Sequence, residues 1–176
     1  MPRHRLNFSS IVTTALLLNL ITLLSACSPQ TAPPQAQEIT AGTACTLDGM
    51  LLSDYPGPKA QIHYAEGPPE YFCDTVEMFS ILLRPESRRH IRAVYTQDMG
   101  KADWKQPRGR WIDARAAFYV QGSTLKGSMG PTFAAFERQE DAAAFAAKHG
   151  GKVLRFAEIT PEMADLRGGA THDEHM

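Results

Sequence analysis

The chain has 176 residues, with 18 Lys and Arg set against 19 Asp and Glu, a formal charge of −1. That balance excludes the basic footprint of a nucleic-acid-binding protein. The length leaves room for one packed domain rather than several.

The N-terminus reads as an export signal. Arg3, His4 and Arg5 precede an apolar run from Ile11 to Leu24, which falls short of the about 20 residues that a bilayer core demands of a spanning helix. A basic start, a short apolar stretch and small residues describe a secretory signal. Leu24-Ser25-Ala26-Cys27 then forms a lipobox, so residues 1–26 are expected to be removed and Cys27 to become the lipid-bearing first residue. Ser28, where an aspartate would favour retention at the inner membrane, leans the expectation toward the outer membrane. The mature chain would carry 16 basic and 19 acidic side chains, a charge of −3. It therefore offers no polybasic membrane surface, and the lipid does the anchoring. Residues 27–41, with Pro29, Pro33 and Pro34 and no apolar periodicity, read as a mobile tether.

Residues 42–160 are the stretch able to bury a core, and they contain one order of elements twice. Ala60 to Tyr64 and Glu70 to Cys73 read as strands about a Gly67-Pro68-Pro69 turn. A helix is expected over 75–83: Asp74 is its N-cap, Glu77 completes a capping box, and Val76, Phe79 and Leu83 share one face. Pro85 should stop it, with a strand following over 91–96. In the second half, 118–121 and 132–136 read as strands on either side of a glycine-rich turn. Asp141 to His149 is an alanine-rich helix ended by Gly150-Gly151, and 152–156 a closing strand. Two ββαβ halves forming one compact α+β domain are predicted. Trp104 and Trp111 flank a Pro107-Arg108-Gly109 turn and should pack on a sheet. Residues 161–176, ending His172-Asp173-Glu174-His175-Met176, read as a flexible tail that is either plainly solvated or able to capture metal.

With Cys27 committed to lipid, Cys45 and Cys73 remain. In an exported domain a pair of cysteines is open to a disulfide. Their neighbours suggest another use. Cys45-Thr46-Leu47-Asp48-Gly49-Met50 sets a thiol and a thioether five residues apart, and Gly49 allows the backbone to fold back so that both sulfurs meet. A thiolate with a thioether is a soft set that selects Cu(I) over hard cations. Met129, between Ser128 and Gly130 in a turn, is a second candidate for exposed sulfur, whereas Met78 and Met99 fit packing. His63 alternates away from Ile62 and Tyr64, which makes it either a surface histidine or an imidazole ligand. Cys73, beside a helix N-terminus that stabilises a thiolate, suits a ligand, a reactive thiol or a buried inert cysteine. Asp48 opens an oxygen-containing zinc site as an alternative. Phosphate loops, nucleophile elbows, HExxH and CxxC motifs are absent, and no acid–base machinery stands out.

The run Cys45 to Met50, followed by Asp54-Tyr-Pro-Gly-Pro-Lys-Ala-Gln61, resembles the NosL accessory lipoproteins of nitrous oxide reductase. So do Tyr71-Phe-Cys-Asp-Thr75 with Glu77-Met-Phe79, Gln97-Asp-Met-Gly100, Ala102-Asp-Trp104, Trp111-Ile-Asp-Ala114 and Gly127-Ser-Met-Gly130. The resemblance covers 45–156 in order. It implies a doubled ββαβ fold related to the organomercurial lyases and a periplasmic, lipid-anchored copper chaperone that is not an enzyme. Its cargo would go to the copper-sulfur centre of nitrous oxide reductase, with the ABC-type transporter complex of that assembly pathway as a docking partner. Many relatives carry CxxCGM at the first sulfur site. Asp48 stands here in place of the second cysteine, which implies a mixed thiolate, thioether and imidazole site. The expected ligands of Cu(I), with zinc a possible second or alternative metal, are Cys45, Met50, Met129, His63 and Cys73. Two other readings stay open: an organomercurial-lyase-like enzyme using Cys73 and Asp74, and a scaffold held by a Cys45–Cys73 disulfide.

Overall fold

In a computed structural model, which describes residues 32–84 and 89–166, the doubled order of elements is present. The first half runs β1 (Ala60–Tyr64), β2 (Glu70–Phe72), α1 (Thr75–Leu82) and β3 (Ile91–Gln97). β1 pairs antiparallel with both β2 and β3, so the first strand lies at the centre. A fourth strand, β4 (Trp111–Asp113), adds to the free edge of β3 and gives the order β2-β1-β3-β4. β4 was not expected. Three residues leave no periodicity to detect, and the Pro107-Gly109 turn masks its start.

The second half runs β5 (Phe118–Gln121), β6 (Lys126–Gly127), β7 (Gly130–Pro131), β8 (Ala134–Phe136), α2 (Gln139–His149) and β9 (Lys152–Arg155). Its sheet order is β8-β5-β9, again with the first strand central and both pairings antiparallel. The halves therefore share topology as well as element order. The second is interrupted by a two-stranded ribbon, β6–β7. That ribbon occupies the glycine-rich turn, and the expected strand over 132–136 shrinks to 134–136 because Thr132 and Phe133 lead out of it.

The strands alternate so that both halves feed one core. Ile62, Phe72, Met78 and Phe79 meet Tyr119, Phe133 and Leu154 in one buried cluster. The Phe79 ring sits edge-on to Tyr119 and Phe133, at centroid distances of 5.0 and 5.3 Å. Each fully buried apolar side chain of this size contributes about 1.5–3 kcal/mol, so this shared cluster holds the halves together. On the other side of the second sheet, Val120, Ala134 and Phe136 pack against Ala142 and Phe145 of α2, and Trp104 stacks on Phe145. Met78 and Met99 both pack in these cores. The glycine stop of α2 is present, with Gly150 and Gly151 both at positive φ.

Two expected boundaries move. From Pro34 the chain lies on the first sheet as a hydrogen-bonded strap rather than a free tether. Tyr95 Oη donates to the Pro34 carbonyl at 2.8 Å, and Gln61 exchanges two bonds with the Gln37 backbone at 2.8 and 2.9 Å. Tyr71 Oη donates to Gln37 Oε1 at 2.9 Å. The strap serves the polar face of β1, so it carries no apolar periodicity of its own. At the other end, Ile159, Met163 and Ala164 pack into the main core, which extends the domain past 160 into the expected tail. Cys27, the signal peptide, Pro85 and the His172/His175 terminus lie outside the described residues. Among the described residues no helix is long and apolar enough to cross a membrane.

Candidate metal centre

The loop bearing Cys45 is closed by its own backbone. Cys45 N–H donates to the Met50 carbonyl at 2.8 Å and Gly49 N–H to the Cys45 carbonyl at 2.9 Å. Gly49 sits at φ +78°, a left-handed conformation that costs glycine little. Asp48 accepts from Met50 N–H at 2.9 Å, a local bond that steadies the turn. Thr46 N–H donates to the Tyr71 carbonyl at 2.8 Å, which ties this loop to β2 and brings Cys45 toward Cys73.

Cys73 lies between the end of β2 and the Asp74 cap of α1, and it is wholly buried. Both cysteines are free thiols. The sulfurs of Cys45 and Cys73 and carboxylate oxygens of Asp48 and Glu77 all lie within 4.8 Å of one another. Glu77 is the middle of the group, with Oε2 3.2 Å from Cys45 Sγ and 3.3 Å from Cys73 Sγ. The same oxygen accepts from Cys73 N–H at 3.1 Å. The sequence reading gave Glu77 only a capping-box role. In the structure its carboxylate reaches back to the residue before the cap and, in doing so, is drawn between the thiols.

The ionisation of the group follows from its crowding. A hydrogen bond from the Cys73 thiol holds Cys45 down at about 6, and the same bond, with burial, pushes Cys73 up. One sulfur is thus poised as a thiolate and the other retains its proton. Burial, then the contact with Cys45, pushes Glu77 up to about 8. A metal ion bound here would have to displace those protons.

The β6–β7 ribbon forms one wall. Ser128 Oγ lies 3.1 Å from Cys73 Sγ. Asp74 holds the ribbon in place: Thr132 Oγ1 donates to it at 2.5 Å and Ser128 N–H at 3.2 Å, while its other task is to accept Val76 N–H at 2.9 Å as the helix cap. Burial pushes the Asp74 carboxyl up to about 6, opposed by the bonds from Thr132 and Val76. Gly127 makes the approach possible, since a Cβ there would stand 1.9 Å from Asp74 Oδ2. Behind the site, wholly buried Lys59 donates from Nζ to the Pro56 carbonyl at 2.9 Å and the Cys73 carbonyl at 3.1 Å. Burial lowers its ammonium to about 8.

Of the residues expected as ligands, Cys45 and Cys73 come together. Met50 is half-buried and packs against the cluster containing both. Met129, next to Ser128, is 55% exposed, as expected for a sulfur held out on a turn. His63 is elsewhere. It alternates away from Ile62 as expected, but that face is covered, so it is a buried histidine and not a surface one. Its Nε2 is bonded to Gln61 Oε1 at 2.7 Å and its ring meets Tyr95 edge-on. Sequence reasoning missed the roles of Glu77 and Lys59. The only available signal was the ionisable residues that flank Cys73 in a stretch that otherwise forms core.

A doubled ββαβ domain with a buried pair of free thiols, faced by the carboxylates of Asp48 and Glu77, has a donor set that could hold a thiophilic metal. The NosL family model matches residues 36–164. The copper-binding lipoprotein NosL of Stutzerimonas stutzeri is 37% identical over 178 residues, taking in 97% of this chain and 91% of that protein. That of Achromobacter cycloclastes is 38% identical over 167 residues, 92% of this chain and 83% of that protein. The crystal structure of the copper chaperone NosL from Shewanella denitrificans superposes with a TM-score of 0.70 at 41% identity, covering 74% of this chain and 99% of that one. The chain belongs to the NosL family.

Proposed function

We propose that this protein is a lipid-anchored Cu(I) carrier of the periplasm that supplies copper for the copper-sulfur centre of nitrous oxide reductase. The observation that carries the reading is the buried pair of free thiols, Cys45 and Cys73, converging on one point. Two thiolates are the donors that Cu(I) favours. Half-buried Met50 and exposed Met129 add neutral sulfur at the edge, where it can take the ion over during exchange with a partner. The relatives' names, copper-binding lipoprotein and copper chaperone, support a carrier rather than an enzyme. The acceptor, the transporter complex of the same pathway, and anchoring through Cys27 belong to this proposal.

The test is an anaerobic competition titration of the mature chain, carrying Cys27→Ser, against a calibrated Cu(I) chelator. Tight binding of one equivalent is expected, and binding no stronger than that of the Cys45→Ser/Cys73→Ser variant overturns the reading. Asp48 and Glu77 favour a second reading in which the same four residues hold Zn(II), which accepts mixed sulfur and oxygen donors. Zinc that Cu(I) cannot displace would select it.

A further inference from the structure

A lysine with no exposed surface is rare unless paired, and Lys59 has none. Its ammonium spends two of its three donors on carbonyls, and one of these belongs to Cys73 itself. Around it stand Asp74, Cys73, Glu77 and Cys45. The other five lysines of the chain are exposed. Lys59 thus lies in the strand-leading segment next to β1, inside the wall that carries the thiol.

We propose that Lys59 is a positioning residue of the metal centre: its buried ammonium holds the Cys73 carbonyl and so aims that sulfur at Cys45. Lys59 occupies no coordination position itself, because it acts through the backbone of Cys73.

The proposal rests on the carrier reading, and the experiment separates the two. Parent protein that fails to bind Cu(I) removes the carrier reading; the Lys59 variant bears on this one alone. Lys59→Met, in the mature chain, keeps the bulk and removes the charge, a replacement that buried ions often tolerate. The expected result is a loss of about 10–100-fold in Cu(I) affinity, the usual effect of removing a group that orients a ligand. Copper X-ray absorption of the loaded variant should also count one sulfur neighbour fewer than in the parent. Unchanged affinity overturns the proposal whatever the sulfur count. A weaker site with an unchanged sulfur count overturns it too, since packing alone would then explain the loss. Should Lys59→Met not fold, the parent decides by nitrogen-15 spectroscopy of its lysines. One exchange-protected ammonium resonance should shift on addition of Cu(I), and a protected resonance that Cu(I) leaves unmoved overturns the proposal.

Discussion

The two halves have the same strand order around a central first strand, yet only the first sinks ionisable side chains into the protein at its helix start. In the first, the opening turn of the helix is buried, with Asp74, Thr75 and Glu77 all below the surface and Cys73 just ahead of them. In the second, α2 begins with exposed Gln139 and Glu140, and Ala142 is its one fully buried residue. The second half serves as support: it completes the core and extends the β6–β7 ribbon against the first half's helix cap. The lesson is that repetition supplies a scaffold, while the candidate site arises where the repeat is broken. Here the breaks are a helix start sunk into the protein and a ribbon inserted to cover it.

The sharpest way to break that comparison is to remove a thiol from the first half. Cys45→Ser and Cys73→Ser should each weaken Cu(I) binding by more than the about 10–100-fold typical of losing a supporting group, since each removes a soft anionic donor. Met50→Ala and Met129→Ala should cost less. A Cys73→Ser variant that binds like the parent in the competition titration would confine the site to the Cys45 loop.

Two changes probe the supports. Gly127→Ala drives a methyl group into Asp74 Oδ2; overpacking of this kind costs about 1–3 kcal/mol, and the displaced ribbon should take Ser128 away from Cys73. Thermal denaturation and the copper titration should therefore both register it. Beginning the chain at Gly42 deletes the strap, leaving buried Gln61 without its Gln37 partners. Each net hydrogen bond lost costs about 0.5–1.5 kcal/mol, so the shortened domain should melt earlier than the chain that keeps the strap. Equal melting temperatures would show the strap to be dispensable.

The pH effects are smaller and have opposite structural meanings. In the metal-free protein, thiolate absorbance should rise as pH passes upward through about 6, because Cys45 is held well below the ordinary thiol value of 9.0. That step should vanish in Cys45→Ser. His63 has its value lowered from 6.5 by burial. A folded value below the unfolded one means that stability is full above 6.5 and is lost as pH falls through the folded value. His63→Gln should flatten that acid-side decline in melting temperature while leaving Cu(I) affinity unchanged.

Much of this organisation was legible in the sequence, and what escaped did so for physical reasons. Ala60–Tyr64 and Phe118–Gln121 stand as read, because Ile62, Tyr64, Phe118, Tyr119 and Val120 are residues that favour strands. Asp74 was recognisable as a cap because capping is local. Glu77 was not recognisable as the centre of the site, since its meeting with Cys45 spans 32 positions and depends on how the Cys45 loop docks on β2. The strap escaped for a similar reason: its order comes from partners on another strand, so its own composition looks like that of a linker. His63 was placed on the correct face, but alternation cannot say what covers a face.

The docked strap has a consequence for reach. Were Cys27 lipidated as proposed, seven residues would separate the anchor from Pro34, at most about 25 Å of chain when fully drawn out. A free leash running to residue 41 would have allowed about 50 Å by the same measure. The domain would then work in a shallow layer above that membrane, able to meet partners that rise from the same surface but not those well beyond it.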